Sequence, residues 1–132
     1  MATSDISVST TRSSDAEHAI STVTLAFMSD PIVRWVIPDP QVYLSTFPAM
    51  ARAFGGKAFE HGTAHHVNGY RGVALWLPPG VTFDEETLGS LVQQSVPGKK
   101  LEAVFGVLEQ MGSFHPSEPH WYLPMIGVGP FW

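Results

Sequence analysis

The sequence predicts an α+β fold (mixed α/β) of about four mostly antiparallel strands with helices on both faces, and three observations carry that expectation. Short β-prone stretches lie near both ends and in the middle, separated by segments whose apolar residues recur at helical spacing. The two middle stretches are joined by Asn68-Gly69, a turn signal that favours antiparallel neighbours. Two strands, Arg71 to Leu77 and the last one, carry apolar residues on both alternating sets, as strands covered on both sides do.

In chain order, Ile6 to Thr11 alternates and reads as a first strand behind a loose, polar start, so that residues 1–13 hold a partly loose N-terminus and that strand. Ser14-Asp15-Ala16-Glu17 matches a capping box, in which Ser14 accepts from the Glu17 N–H. Ala16, Ala19, Ile20, Val23, Ala26 and Phe27 then fall on one face of a helix running to about Met28. Asp30-Pro31 ends it and starts a short second helix through Arg34 or Trp35. Pro38-Asp39-Pro40 reads as a turn. Tyr43, Phe47, Met50 and Phe54 mark a third helix, with a kink or a fresh start expected at Pro48 and a stop at His61-Gly62.

Thr63 to Val67, Asn68-Gly69 and Arg71 to Leu77 make the hairpin. Val73, Leu75 and Leu77 face one way, Ala74 and Trp76 the other. Pro78-Pro79-Gly80 stops the strand, and Thr82-Phe83-Asp84-Glu85 matches a second capping box, opening a helix to about Ser95. Pro97-Gly98 separates it from a helix carrying Leu101, Val104, Phe105, Leu108 and Met111. The final strand sets Tyr122, Ile126 and Val128 on one side and Trp121, Leu123 and Met125 on the other.

Composition narrows the function. The 132 residues fit a single domain, and 44% hydrophobic against 14% charged residues reads as globular. A net charge of -5, with only 7 unclustered Lys and Arg, argues against nucleic-acid binding. The absence of cysteine excludes disulfides, thiolate metal sites and a Cys nucleophile. No apolar run approaches the ~20 residues that span a bilayer, and the start has no signal-peptide core, so the default is a soluble, cytoplasmic domain. His65 and His66 are adjacent on a strand, point to opposite faces and cannot share a metal. His61, His115 and His120 have no ligand spacing, and no metal is expected. Asp84-Glu85-Glu86 complements a helix start, Gly98-Lys99-Lys100 lacks the upstream glycine of a phosphate loop, and no Gly-x-Ser-x-Gly occurs.

Two longer blocks say more. Gly72-Val73-Ala74-Leu75-Trp76-Leu77-Pro78-Pro79-Gly80 and His115-Pro116-Ser117-Glu118-Pro119-His120-Trp121-Tyr122-Leu123, followed by Ile126-Gly127-Val128-Gly129-Pro130, resemble the GNAT-type N-acetyltransferases. The flavour is that of the puromycin N-acetyltransferase-like branch. Ala26-Phe27, Asp30-Pro31, Trp35 and Pro38-Asp39 fit the same pattern, so the resemblance runs from about Ile6 to Pro130. It implies transfer of an acetyl group from acetyl-CoA to a primary amine of a small molecule. In the family the fourth strand lies along the pantetheine arm, which puts Ile126, Gly127 and Val128 at the cofactor, with Pro124 at a bulge beside them. Phe27, Trp35 and Tyr122 fall where substrates enter. Glu118 and His120, the titratable residues near the strand's start, are alternative bases for removing the amine proton.

The family pattern continues beyond Val128-Gly129-Pro130 with a Gln/Arg-x-x-Gly-x-Gly/Ala loop that wraps the pyrophosphate at a helix N-terminus. Here Phe131-Trp132 follows, so the resemblance implies the N-terminal half of an acyl-CoA N-acyltransferase fold, a single truncated domain over residues 1–132. Three expectations stand side by side. The chain is a fragment, impaired or inactive alone; or it is a half-domain completed by another chain; or it is a non-catalytic module that pairs with itself as a homodimer, or with a partner, through an exposed apolar final strand.

Overall fold

Four antiparallel strands form one sheet whose spatial order follows the sequence: β1 (Val8–Thr10), β2 (Ala64–Val67), β3 (Gly72–Leu77) and β4 (Tyr122–Val128). The computed structural model describes residues 6–130, so the loose start expected over residues 1–13 lies partly outside the described residues. Between β1 and β2 come α1 (Ala16–Ala26), α2 (Pro31–Val36), α3 (Pro40–Gly55) and the single turn α4 (Lys57–Glu60). Between β3 and β4 come α5 (Glu85–Ser95) and α6 (Gly98–Ser113). This is a mixed α+β fold with an antiparallel sheet.

Local chemistry sets the helix starts. The Asp30 side chain accepts from the Val33 N–H at 3.0 Å and Pro31 occupies the first turn of α2, where its missing donor costs nothing. Asp39 does the same for α3, accepting from Gln41 and Val42, so Pro38-Asp39-Pro40 begins a helix rather than only a turn. Neither expected Ser/Thr capping box forms. Ser14 sits in a 3₁₀ turn over Ser13–Asp15, leaving α1 without a side-chain cap, and Asp84, two residues beyond Thr82, caps α5 through the Thr87 N–H. The hydrogen bonds from Thr87 hold the Asp84 carboxyl below its ordinary range. α3 runs on through Pro48 with no fresh start.

One face of the sheet carries the core. Val73, Leu75 and Leu77 point into it from β3, joined by Ala19, Ile20 and Val23 of α1, by Tyr43, Phe47, Met50 and Ala51 of α3, and by Met125 of β4. Leu75 and Leu77 are 0% exposed, and each such burial stabilises the fold by about 2 kcal/mol. α5 packs on α3, and α6 reaches the core chiefly through Val104.

The opposite face corrects the expectation of helices on both sides. Ala74 and Trp76 of β3, His65 and Val67 of β2 and Val8 of β1 line a trough of about 290 Å³ with Ile126 and Val128, and no helix residue borders it among the described residues. The sidedness is the same for the two histidines, as expected. His66 turns to the helix face, where its Nδ1 bonds Thr11 Oγ1 at 2.7 Å, and His65 turns to the trough.

Two further corrections concern the hairpin turn and the alternation of the last strand. Val67 pairs with Gly72, so the hairpin closes over Asn68–Arg71 instead of a two-residue Asn-Gly turn. Asn68, Gly69 and Tyr70 all adopt positive φ, at 41°, 67° and 69°. Tyr70 is held there by stacking on His66 and His18, and by the Thr22 hydroxyl donating to its carbonyl at 2.8 Å.

The second lies in β4. Leu75 faces Met125 and Leu77 faces Tyr122, so β4 takes one more step than β3 around Leu123 and Pro124. That bulge, at a residue that cannot donate to the ladder, resets the alternation. Tyr122 therefore shares the helix face with Met125, edge-on to Phe54, and not the side of Ile126 and Val128. Trp121 lies against Trp76 on the open face.

Candidate functional site

Three features meet at β4: an open strand edge, a bulge and a hollow beneath the helices.

Consider the edge first. In an antiparallel ladder alternate residues exchange hydrogen bonds with the partner while those between them point outward. Gly129 donates to the Arg71 carbonyl at 2.8 Å, which makes Arg71–Gly129, Val73–Gly127 and Leu75–Met125 the bonded pairs. The N–H and C=O groups of Ile126 and Val128 consequently face away from β3, toward the side of β4 that pairs with no strand among the described residues. Their side chains are 59% and 60% exposed on the open face of the sheet. Gly127 has a different job. A Cβ on it would lie 2.7 Å from the Ala26 Cβ, so the glycine lets the end of α1 approach the strand. Of the three residues expected at a cofactor, two present backbone groups to an incoming chain and the third sets the helix position.

The hollow lies between α2, α3, α5, α6 and the bulge. Its inner part is a cavity of about 200 Å³ whose walls include Phe27, Phe47, Val92, Pro124 and Met125, and every residue lining it has an apolar side chain. It shares Phe54, Leu88, Leu108 and Met111 with an outer groove of about 500 Å³, where the titratable residues are Glu85, Glu109, His115 and Tyr122. Phe27 and Tyr122, both expected near a substrate, thus line adjoining spaces. Trp35 lines neither. It faces α6, where Lys100 donates to its carbonyl at 2.7 Å and sits 5.8 Å from its ring.

The two candidate bases are separated by their bonding. His120 Nδ1 contacts the Glu118 backbone carbonyl at 2.9 Å, an arrangement that fixes Nδ1 as the protonated nitrogen and leaves Nε2 as the basic one. His115 stands 6.2 Å from the His120 ring and 4.6 Å from the Tyr122 ring, linking His120 to the outer groove. The Glu118 carboxylate has no bonded partner among the described residues. Burial pushes the Tyr122 hydroxyl above its ordinary range, so it keeps its proton near neutral pH.

Sequence reasoning missed Phe54, Phe83, Phe105 and His115 as wall residues. The apolar faces of α3 and α6 were legible, but a helix face does not say whether it meets core or cavity. Among the described residues no group of three or more His, Asp or Glu side chains is placed to hold a metal ion, and no helix is long and apolar enough to cross a membrane. Compared with known proteins, the chain matches no protein-family model and no curated protein sequence.

Proposed function

We propose that this protein is a GNAT-like N-acetyltransferase domain that uses acetyl-CoA to acetylate a primary amine of a small molecule. The observation that carries the reading is the free edge of β4. Ile126 and Val128 offer outward N–H and C=O groups in extended backbone, and pantetheine carries two amides able to pair with them as an added strand would. The reading is also supported by the bulge around Leu123 and Pro124 and by the hollow that Pro124 and Met125 help to wall, which would serve as the acceptor space.

Acetyl-CoA supplies an activated acetyl thioester. The chain's residues bind and orient the amine along Phe27 and Tyr122, with His120 Nε2 or the Glu118 carboxylate receiving its proton. As the amine nitrogen bonds the acetyl carbon, the bond to sulfur breaks, and the proton taken from nitrogen passes from the base to the leaving thiolate, which departs as the thiol.

Ile126→Pro tests the edge. It deletes an outward N–H that makes no bond to β3, so the ladder survives. Calorimetry should show acetyl-CoA binding weakened at least tenfold with the urea midpoint almost unchanged. Equal affinity of the two proteins, or no binding to the unsubstituted chain at millimolar acetyl-CoA, would sink the reading.

A second reading is favoured by the exposed apolar side chains of Ile126, Val128, Val8 and Trp121. In it the chain is a non-catalytic half-domain that pairs with a second copy or a complementing chain through β4. Sedimentation should then reveal a concentration-dependent dimer that Ile126→Lys abolishes, whereas a strict monomer counts against it.

A further inference from the structure

We infer that the hollow under α6 binds an organic cation with an apolar body, the body in the inner cavity and the charged end in the outer groove. This deepens the acceptor reading, because the occupant's ammonium group would be the amine to be acetylated. The binding itself does not depend on acetyl transfer.

The inner cavity defines the body. A bound water needs two to four polar partners, and this cavity, walled wholly by apolar side chains, has few to give. At about 200 Å³ it exceeds the ~150 Å³ of an apolar cavity that admits benzene, so an aryl ring with a short alkyl chain fits. The mouth supports the same occupant. Phe105, Leu108 and Met111 are 39%, 37% and 46% exposed along one face of α6, apolar surface that an amphiphile would cover.

The outer groove defines the head. Its charged wall residues are Glu85 and Glu109, with no Lys or Arg, on a chain whose net charge is -5. Aromatic rings supply the rest: Phe54 and Phe83 meet edge-on at 5.2 Å, and Phe105 and Tyr122 line the same groove. Ring faces and carboxylates together attract an ammonium group and repel a carboxylate or phosphate. An uncharged apolar compound would satisfy the inner cavity alone, and a short alkylamine only the groove. The combination selects an arylalkylamine.

Calorimetric titration of the full chain with 4-phenylbutylamine, 4-phenylbutan-1-ol and n-butylamine tests this without acetyl-CoA. The phenylbutylamine should bind at least tenfold more tightly than either other compound. Glu109→Gln should weaken it severalfold and leave the alcohol unaffected. Leu108→Trp, which fills the cavity from α6, should weaken it at least tenfold, and Met111→Trp serves as a second filler if the first does not fold. Equal binding of amine and alcohol, indifference to Glu109→Gln, or unchanged affinity in a folded cavity-filling variant would each overturn the inference, as would no binding at millimolar ligand. Amine binding without acetyl transfer defeats the acetyltransferase reading and leaves this one standing. Transfer with no preference for the arylalkylamine does the reverse.

Discussion

Gly127 does its work by what it lacks. Alanine there would bring its Cβ to 2.7 Å from that of Ala26, forcing the end of α1 away from β4. Overpacking of this kind costs about 1–3 kcal/mol, so Gly127→Ala should lower the urea midpoint measurably. Ile126→Ala, one residue away and 59% exposed, should scarcely change it. The sequence reading assigned both residues to one task, because a run of backbone contacts to a cofactor treats neighbours alike. What separates them is a helix that ends a hundred residues earlier in the chain, and no local pattern carries that information.

Elements were legible where their signals are local. Asp30-Pro31 announces α2, and the Asp30 bond to Val33 is the reason. Losing such a cap costs about 1 kcal/mol. Asp30→Ala should therefore destabilise the protein by about that much and raise amide exchange at Val33 and Arg34, since α2 presses Ile32, Val33 and Val36 on the cavity. The α3 stripe of Tyr43, Phe47 and Met50 was equally plain, and all three are buried. The hairpin was located correctly, but its turn was not. Tyr70 is held inside the turn at positive φ by His18 and Thr22 on α1, whose influence comes through space. Likewise the alternation of β4 could be read only up to the bulge, beyond which every side changes.

For the molecule as a whole, the class and the antiparallel sheet were readable, and the helices' choice of a single face was not. A strand apolar on both sets signals two covered faces, whatever does the covering. Among the described residues only one face of β3 is covered by helices. A second whole-molecule property follows from the three tyrosines. Burial raises Tyr43 from 10.0 to about 12, chiefly by desolvation and against the nearby Arg34, and raises Tyr70 and Tyr122 in the same direction. A raised phenol holds its proton in the folded chain at a pH where the unfolded chain releases it. Stability is thus unaffected by these groups below pH 10 and falls as pH climbs toward 12. Melting temperatures at pH 9 and 11 should show that fall, and Tyr43→Phe should flatten it while costing about 1 kcal/mol for the lost hydrogen bond to the Thr24 carbonyl.

The extra step in β4 has a consequence of its own. Leu77 would still meet Tyr122, and Leu75 would still meet Met125, if one of Leu123 and Pro124 were removed and the rungs between them became even. Both flanking contacts ask for an odd spacing of one intervening residue, and the chain supplies two. The surplus residue is therefore spare as far as the sheet is concerned. A chain shortened by Leu123 would keep both flanking pairs and turn Pro124, now a wall of the hollow, to the open face of the sheet, so the extra residue is what lends that proline to the hollow.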